Sequence, residues 1–294
     1  GVLTTDGEDV KPGRATKVWK REAPEQMYRI RTASGRELEV TPSHPLFVQR
    51  DGQLSPVVAS DLSDGDFLAT PRQLPNEGDD RLDVEYERAT RGVTDSLDCP
   101  DELTTELARL LGYVVGGGSI GGPPSNRSLR IVNADEEIPE DIVSILEQLG
   151  LRYRISDKDG TDARELLCSS LELSRLLADL EPAILEGSAQ QRVPDVLFRA
   201  SRSNKREFLR AYLDDEGSVS ARQRELTVAS RSKELLAGVR ALLLGLGIDS
   251  QLHPSNNGSY RLRISGRDFE RYVSEVGFVI GRMTTARDAF DVTT

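Results

Sequence analysis

The 294-residue sequence predicts an α+β protein of two pseudosymmetric halves behind a smaller all-β module. Three observations predict it. A nine-residue helix end occurs twice, as LLGYVVGGG at residues 110–118 and as LRAYLDDEG at residues 209–217. The segments after each copy recur in the same order at nearly the same spacing, which is the signature of an internal repeat. Residues 1–74 alternate in polarity and turn at short intervals, as strands and hairpins do.

Taken in order, residues 27–40 alternate through Tyr28-Arg29-Ile30-Arg31 and Glu37-Leu38-Glu39-Val40 around a turn at Ser34-Gly35, a hairpin pattern. Thr41-Pro42-Ser43-His44-Pro45 leads into the apolar Leu46-Phe47-Val48, and turns at Asp51-Gly52 and Asp64-Gly65-Asp66 precede Phe67-Leu68-Ala69. Residues 75–100 are polar and acidic without clear periodicity and read as a linker. The repeat occupies 101–281, with halves at 101–190 and 191–281. The tail, 282–294, is expected to return to the front module as one last strand.

Within the repeat, each copy of the helix end is an apolar helix with small residues on one face, Gly112 and Gly116 in the first and Ala211 in the second, running into a glycine. A second helix follows in each, ending Glu147-Gln148-Leu149-Gly150-Leu151 and Leu244-Gly245-Leu246-Gly247-Ile248. Downstream lie strands at 163–169 and 259–265, then helices at 171–180 and 267–276. Each half therefore reads helix, strands, helix, strands, helix. Chance similarity accounts for either apolar helix alone, but not for ordered matches through two whole units.

Composition bounds the class. No apolar run is long enough to span a membrane and no basic-then-apolar leader opens the chain, so a cytoplasmic location is expected. Cys99 and Cys168 are too few and scattered for a metal knuckle or a disulfide framework. The net charge of −11 runs against the basic balance usual in nucleic-acid binders. Of the 38 basic residues, however, 32 are arginine, whose forked donors engage phosphate and guanine edges. An acidic, lysine-poor surface suits a salt-rich, haloarchaeal cytoplasm, where charges are screened over about 3 Å at 1 M salt. Codon bias toward arginine is the other source of the same composition.

The paired helix ends resemble the two signature motifs of the LAGLIDADG, or dodecapeptide-type, homing endonucleases, and the front module resembles the Hint splicing domain of inteins that carry them. Thr41-Pro42-Ser43-His44 fits the Thr-x-x-His splicing block. The resemblance covers nearly the whole chain. It implies two αββαββα halves, a monomer with an internal two-fold, and signature helices packed side by side at the seam. The residue before each terminal glycine would then sit at the floor of a DNA groove, where an acid from each half binds Mg²⁺ or a similar hard cation. Those positions are 117 and 216. Glu216 fits as catalytic acid and metal ligand, whereas Gly117 has no carboxylate, so cleavage is expected to be impaired. Asp214 and Asp215 are expected to cap, face solvent or support Glu216, because one step along a helix turns a side chain by about 100°.

Duplex DNA is the expected partner. Alternation directs Leu151, Tyr153 and Ile155 to the helices and Arg152 and Arg154 outward; Tyr260, Leu262 and Ile264 likewise oppose Arg261 and Arg263. The two arginine pairs are expected on comparable faces, with Arg130, Arg222, Arg224 and Arg231 extending a saddle for phosphates and base edges. The charged solvent face of any strand produces the same pattern. His253 has no such context and reads as a loop histidine.

Splicing, which the resemblance also implies, would use Thr41 and His44 to polarise the N-terminal scissile amide, with the host protein supplying the flanking exteins. It needs a Cys or Ser first residue and a terminal His-Asn pair. The chain has Gly1 and Thr294, so an excerpt of a longer precursor or a decayed remnant is expected. The expected function is therefore an intein-encoded endonuclease for a long duplex site, weakened at Gly117. A cleavage-inactive DNA binder and a splicing-only fragment are the alternatives.

Overall fold

A computed structural model describes residues 2–5, 9–76, 78–84, 97, 100–220 and 222–288. Cys99 lies outside the described residues.

The front module is all β. Strands β1 (Val2–Thr5) and β2 (Val10–Gly13) pair as one hairpin, and β3 (Tyr28–Arg31) and β4 (Glu37–Val40) as a second. Strands β5 (Pro45–Arg50), β6 (Gln53–Val58) and β7 (Phe67–Leu68) form a sheet of order β6-β5-β7, every pair antiparallel. Asp51 and Gly52 both take positive φ in the two-residue β5–β6 turn, the primed geometry that matches strand twist. Its buried apolar residues among those described are Val40, Val48 and Ala59, a small core.

Both halves of the repeat fold in the predicted order. The first comprises α1 (Thr105–Gly116), β8 (Gly118–Gly121), β9 (Ser128–Asn133), α2 (Glu137–Gln148), β10 (Arg154–Asp157), β11 (Arg164–Cys168) and α3 (Leu171–Leu180). After the short α4 (Val196–Arg199), the second comprises α5 (Arg202–Glu216), β12 (Gly217–Ser220), β13 (Glu225–Ser230), α6 (Lys233–Gly245), β14 (Gln251–Pro254), β15 (Tyr260–Ser265) and α7 (Arg267–Glu275). The sheets have orders β8-β9-β11-β10 and β12-β13-β15-β14, the same antiparallel topology in chain-equivalent strands. Thr104, Ser170, Ser201 and Ser232 open α1, α3, α5 and α6, each side chain accepting a first-turn N–H that has no partner inside the helix.

Helices α1 and α5 pack against each other as the seam. A Cβ at Gly112 would lie 2.6 Å from the Phe208 carbonyl oxygen and 2.8 Å from Ala211 Cβ, so only a glycine admits this approach. The same seam carries a half-buried charge network. Arg109 donates to Glu207 (2.7 Å) and Asp141 (2.8 Å), and the Tyr113 hydroxyl donates to Asp141 (2.7 Å). Burial and Asp141 push the Tyr113 pKa far up, so this hydroxyl stays a donor.

Four expectations need correction. The tail does not begin as a strand: α8 (Gly281–Asp288) occupies it, and 289–294 lie outside the described residues. His253, expected in a loop, lies in strand β14 opposite Arg261. The linker, where it is described, bonds to the repeat. Asp79 N–H donates to the Arg199 carbonyl, Asp80 accepts from Ser201 N–H, and Leu82 and Leu97 pack into the core, so backbone bonding orders a stretch whose pattern shows no period. Lastly, Ile155 is exposed. It shares the core-facing side of its neighbour Leu166, but β10 is the sheet edge and too short to be covered.

The β3–β4 hairpin docks on the second half. Ser34 accepts from Leu252 N–H (3.1 Å), Arg36 pairs with Asp249 (2.8 Å) and Glu37 with Lys233 (2.7 Å). Gly35, at φ +77°, lies so close that a Cβ would overlap the Leu252 carbonyl oxygen. No helix among the described residues is long and apolar enough to cross a membrane.

Candidate functional site

The seam brings the two signature helix ends together. Helix α1 closes at Gly116, one residue before β8, and α5 at Glu216, directly before β12. From Gly117, a Cβ would stand 3.1 Å from Asp215 Oδ2 and 3.7 Å from Glu216 Oε1. Position 117 therefore faces the acids of the opposite half across the two-fold.

The three consecutive acids have three different environments. Asp214 is fully buried and accepts from Val279 N–H (2.8 Å), tying α5 to the chain before α8. Asp215 turns toward the first half, where Asn133 of β9 donates to its Oδ1 (2.6 Å). Glu216 is exposed at the rim, yet its carboxyl is partly shut in between the helix ends, and this desolvation raises its pKa. Helical turn separates the acids as expected, but the acid nearest the Gly117 gap is Asp215. Sequence reasoning missed that role; the 100° step excluded it only while the seam's direction was unknown.

The donor set does not fit a symmetric two-cation centre. The carboxylate oxygens nearest a Cβ at position 117 come from α5, Gly117 contributes backbone only, and no group of three or more His, Cys, Asp or Glu placed to hold a metal occurs among the described residues. No hydrolytic step follows from this arrangement as it stands.

Register sorts the arginines. On the outer face of the first sheet Arg130 lies opposite Leu167, which lies opposite Arg154. On the second, Arg263 lies opposite Thr227 and Gln251, and Arg261 opposite Ala229 and His253. Gly118 pairs with Ile131 as Gly217 pairs with Val228, so the positions of Arg261 and Arg263 correspond in the first half to Glu165 and Leu167. The arginine pairs are thus not on comparable strands: Arg154 is on the edge strand, and Arg152 precedes it. The residue alternation was visible in sequence; strand order was not.

The remaining arginines lie in loops. Arg222 and Arg224, the latter at φ 49°, are exposed in the β12–β13 turn, and Arg231 is exposed beyond the other end of β13. Arg263 is paired with Glu225 and Arg130 with Glu165 (3.4 Å), whereas an open concavity of about 500 Å³ lined by His253, Asn256, Asn257 and Arg261 marks the second sheet's outer face. Thr41 and His44 occupy a surface turn, in which His44 N–H donates to the Thr41 carbonyl (3.0 Å).

A family model described as LAGLIDADG-like domain matches twice, over residues 104–181 and 203–277, the two halves just described. The chain belongs to the LAGLIDADG-like domain family. Curated relatives of this LAGLIDADG-like chain include the replication factor C small subunit of Pyrococcus horikoshii, 31% identical over 88% of the chain and 25% of the relative. Two others come from Methanocaldococcus jannaschii: the DNA-directed RNA polymerase subunit Rpo1C (24%; 87% and 30%) and the isomerizing glutamine–fructose-6-phosphate aminotransferase (22%; 99% and 33%). The chain spans between a quarter and a third of the length of these relatives. Among solved structures it is similar to I-DmoI in complex with DNA and Ca (19% identical, 63% of this chain and 97% of that chain, TM-score 0.49). It is also similar to full-length DUF199/WhiA from Thermatoga maritima (14%, 65% and 61%, TM-score 0.48).

Proposed function

We propose that this chain is the DNA-recognition and nuclease part of an intein, binding a long duplex site through its paired sheets, with strand cleavage impaired. The observation that carries the reading is the meeting of α1 and α5 ends with carboxylates on one side only: Asp215 and Glu216 face Gly117. A paired-acid centre has lost one member, while the surface that would hold DNA is separate from it. Outward arginines on the second sheet and its loops supply donors for phosphate and base edges. Thr41 and His44 are kept as the splicing pair on the all-β module.

The relatives support the insertion part of this reading. A replication factor, an RNA polymerase chain and an aminotransferase bear unrelated names, and the segment they share with this chain is a quarter to a third of each. A segment common to otherwise different proteins is the pattern an inserted module produces. Mg²⁺ is the proposed cation, with Glu216 as its ligand, and the host protein the proposed flanking partner.

The test is a labelled duplex spanning the uninterrupted host gene, with Mg²⁺ and purified protein. A shifted duplex left largely uncut is expected. Rapid double-strand cleavage overturns the impairment, and no shift at low salt overturns DNA recognition. Because Glu165 and Leu167 replace the arginines in the first half, Arg261→Ala with Arg263→Ala is expected to weaken binding about tenfold or more and to reduce the salt slope, and Arg154→Ala to do less.

A further inference from the structure

We propose that the junction between the β3–β4 hairpin and the second half binds a small inorganic anion, chloride or a small oxyanion, held by Arg36 Nε, Arg240 Nε and Ser250 Oγ. These three donors are buried and find no acceptor among the described residues. They are linked through shared neighbours. Arg36 Nη2 donates to Asp249 (2.8 Å), the residue before Ser250, and Arg240 Nη2 donates to Ser34 Oγ (3.2 Å), two residues before Arg36. Arg240 is 6% and Ser250 4% exposed, so bulk water reaches neither side chain freely.

The charge balance points to an anion. Two guanidinium groups face one carboxylate, Asp249, whose side chain is half exposed. The nearby Glu37 is committed to Lys233 and Arg31. Asp268 accepts from Asp249 N–H. Across the whole junction, Arg31, Arg36, Lys233 and Arg240 meet Glu37, Asp249 and Asp268, four cationic groups against three carboxylates, an excess of one positive charge. Burial and the neighbouring Arg36 push the Arg240 pKa down to about 10, which still leaves it charged at neutral pH. Buried N–H and O–H groups of native proteins have partners, and an orphaned charged donor costs more than a neutral one. An anion accepting from all three offsets the excess charge and pins the hairpin to the nuclease half, joining the two modules.

The test is thermal melting of the full chain while chloride replaces gluconate, a bulky organic anion, at constant ionic strength. Sulfate replaces it in a parallel arm, which separates a halide from an oxyanion. Binding to the folded state alone raises the melting temperature by about 3 °C for each tenfold excess over the dissociation constant. Arg240→Met, which removes the charge and keeps the length, is expected to abolish that dependence. Broadening of the ³⁵Cl resonance by the wild-type protein gives a readout that needs no variant. Melting indifferent to both anions with an unbroadened ³⁵Cl line overturns the proposal, and so does an unchanged anion dependence in Arg240→Met.

Discussion

Gly117→Asp places a carboxylate against Asp215 and Glu216 and tests the proposed paired-acid geometry. The new Cβ lies 3.1 Å from Asp215 Oδ2 and 3.7 Å from Glu216 Oε1, so its carboxylate comes within about 4 Å of two others. At that distance a like-charge pair is worth about 4 kcal/mol at an effective dielectric of 20. Glu216 is exposed, so salt screening and rotation relieve most of it. A net loss of about 1–3 kcal/mol remains, lowering the melting temperature by about 3–10 °C in EDTA. The same crowding makes a cation site: Mg²⁺ at about 100 times its dissociation constant returns about 2.7 kcal/mol. Differential scanning calorimetry with and without Mg²⁺ measures both effects. Gly117→Asn, equal in size and uncharged, serves as the control. Duplex cleavage is expected to rise about 10²-fold or more in Gly117→Asp, since a positioned cation supplies several kcal/mol of charge stabilisation. Asp and Asn variants that melt alike with and without Mg²⁺ refute the assignment, as does a DNA-binding Asp variant with no gain in cleavage.

Two further outcomes follow from the seam. Gly112→Val forces side-chain atoms onto the Phe208 carbonyl and Ala211, and chemical denaturation is expected to show a loss of about 3 kcal/mol or more; a loss under about 1 kcal/mol means the helices separate at little cost. Glu216→Gln addresses the desolvated acid. Its folded-state pKa is raised, so between the ordinary carboxylate value and that raised value the folded state holds more protons than the unfolded, and stability falls as pH rises through the window. The variant is expected to melt above wild type at pH 7, with the gap closing as pH drops below the ordinary value. A gap independent of pH removes the titration argument.

Much of this molecule is local in origin and was readable. Periodicity, glycine-terminated helices and the spacing of two units determine the order of elements in both halves, because a duplicated pattern of burial can be satisfied only by a duplicated fold. That position 117 carries glycine and no carboxylate is a matter of residue identity alone. The front module's hairpins follow from turn chemistry at Ser34-Gly35 and Asp51-Gly52.

What tertiary structure decided is everything that depends on which surfaces meet. Direction at the seam selects Asp215 as the acid closest to Gly117, since three successive side chains are equivalent until a partner helix breaks the symmetry. Strand order makes Arg261 and Arg263 the counterparts of Glu165 and Leu167 in the pseudosymmetric register, which alternation cannot reveal because period two carries no information about neighbours. The stray donors of Arg36, Arg240 and Ser250 become one site only because a hairpin closes on helix α6 and the loop after it, more than 200 residues away in sequence. Periodicity along a chain encodes burial; the pairing of buried surfaces is a property of the folded whole.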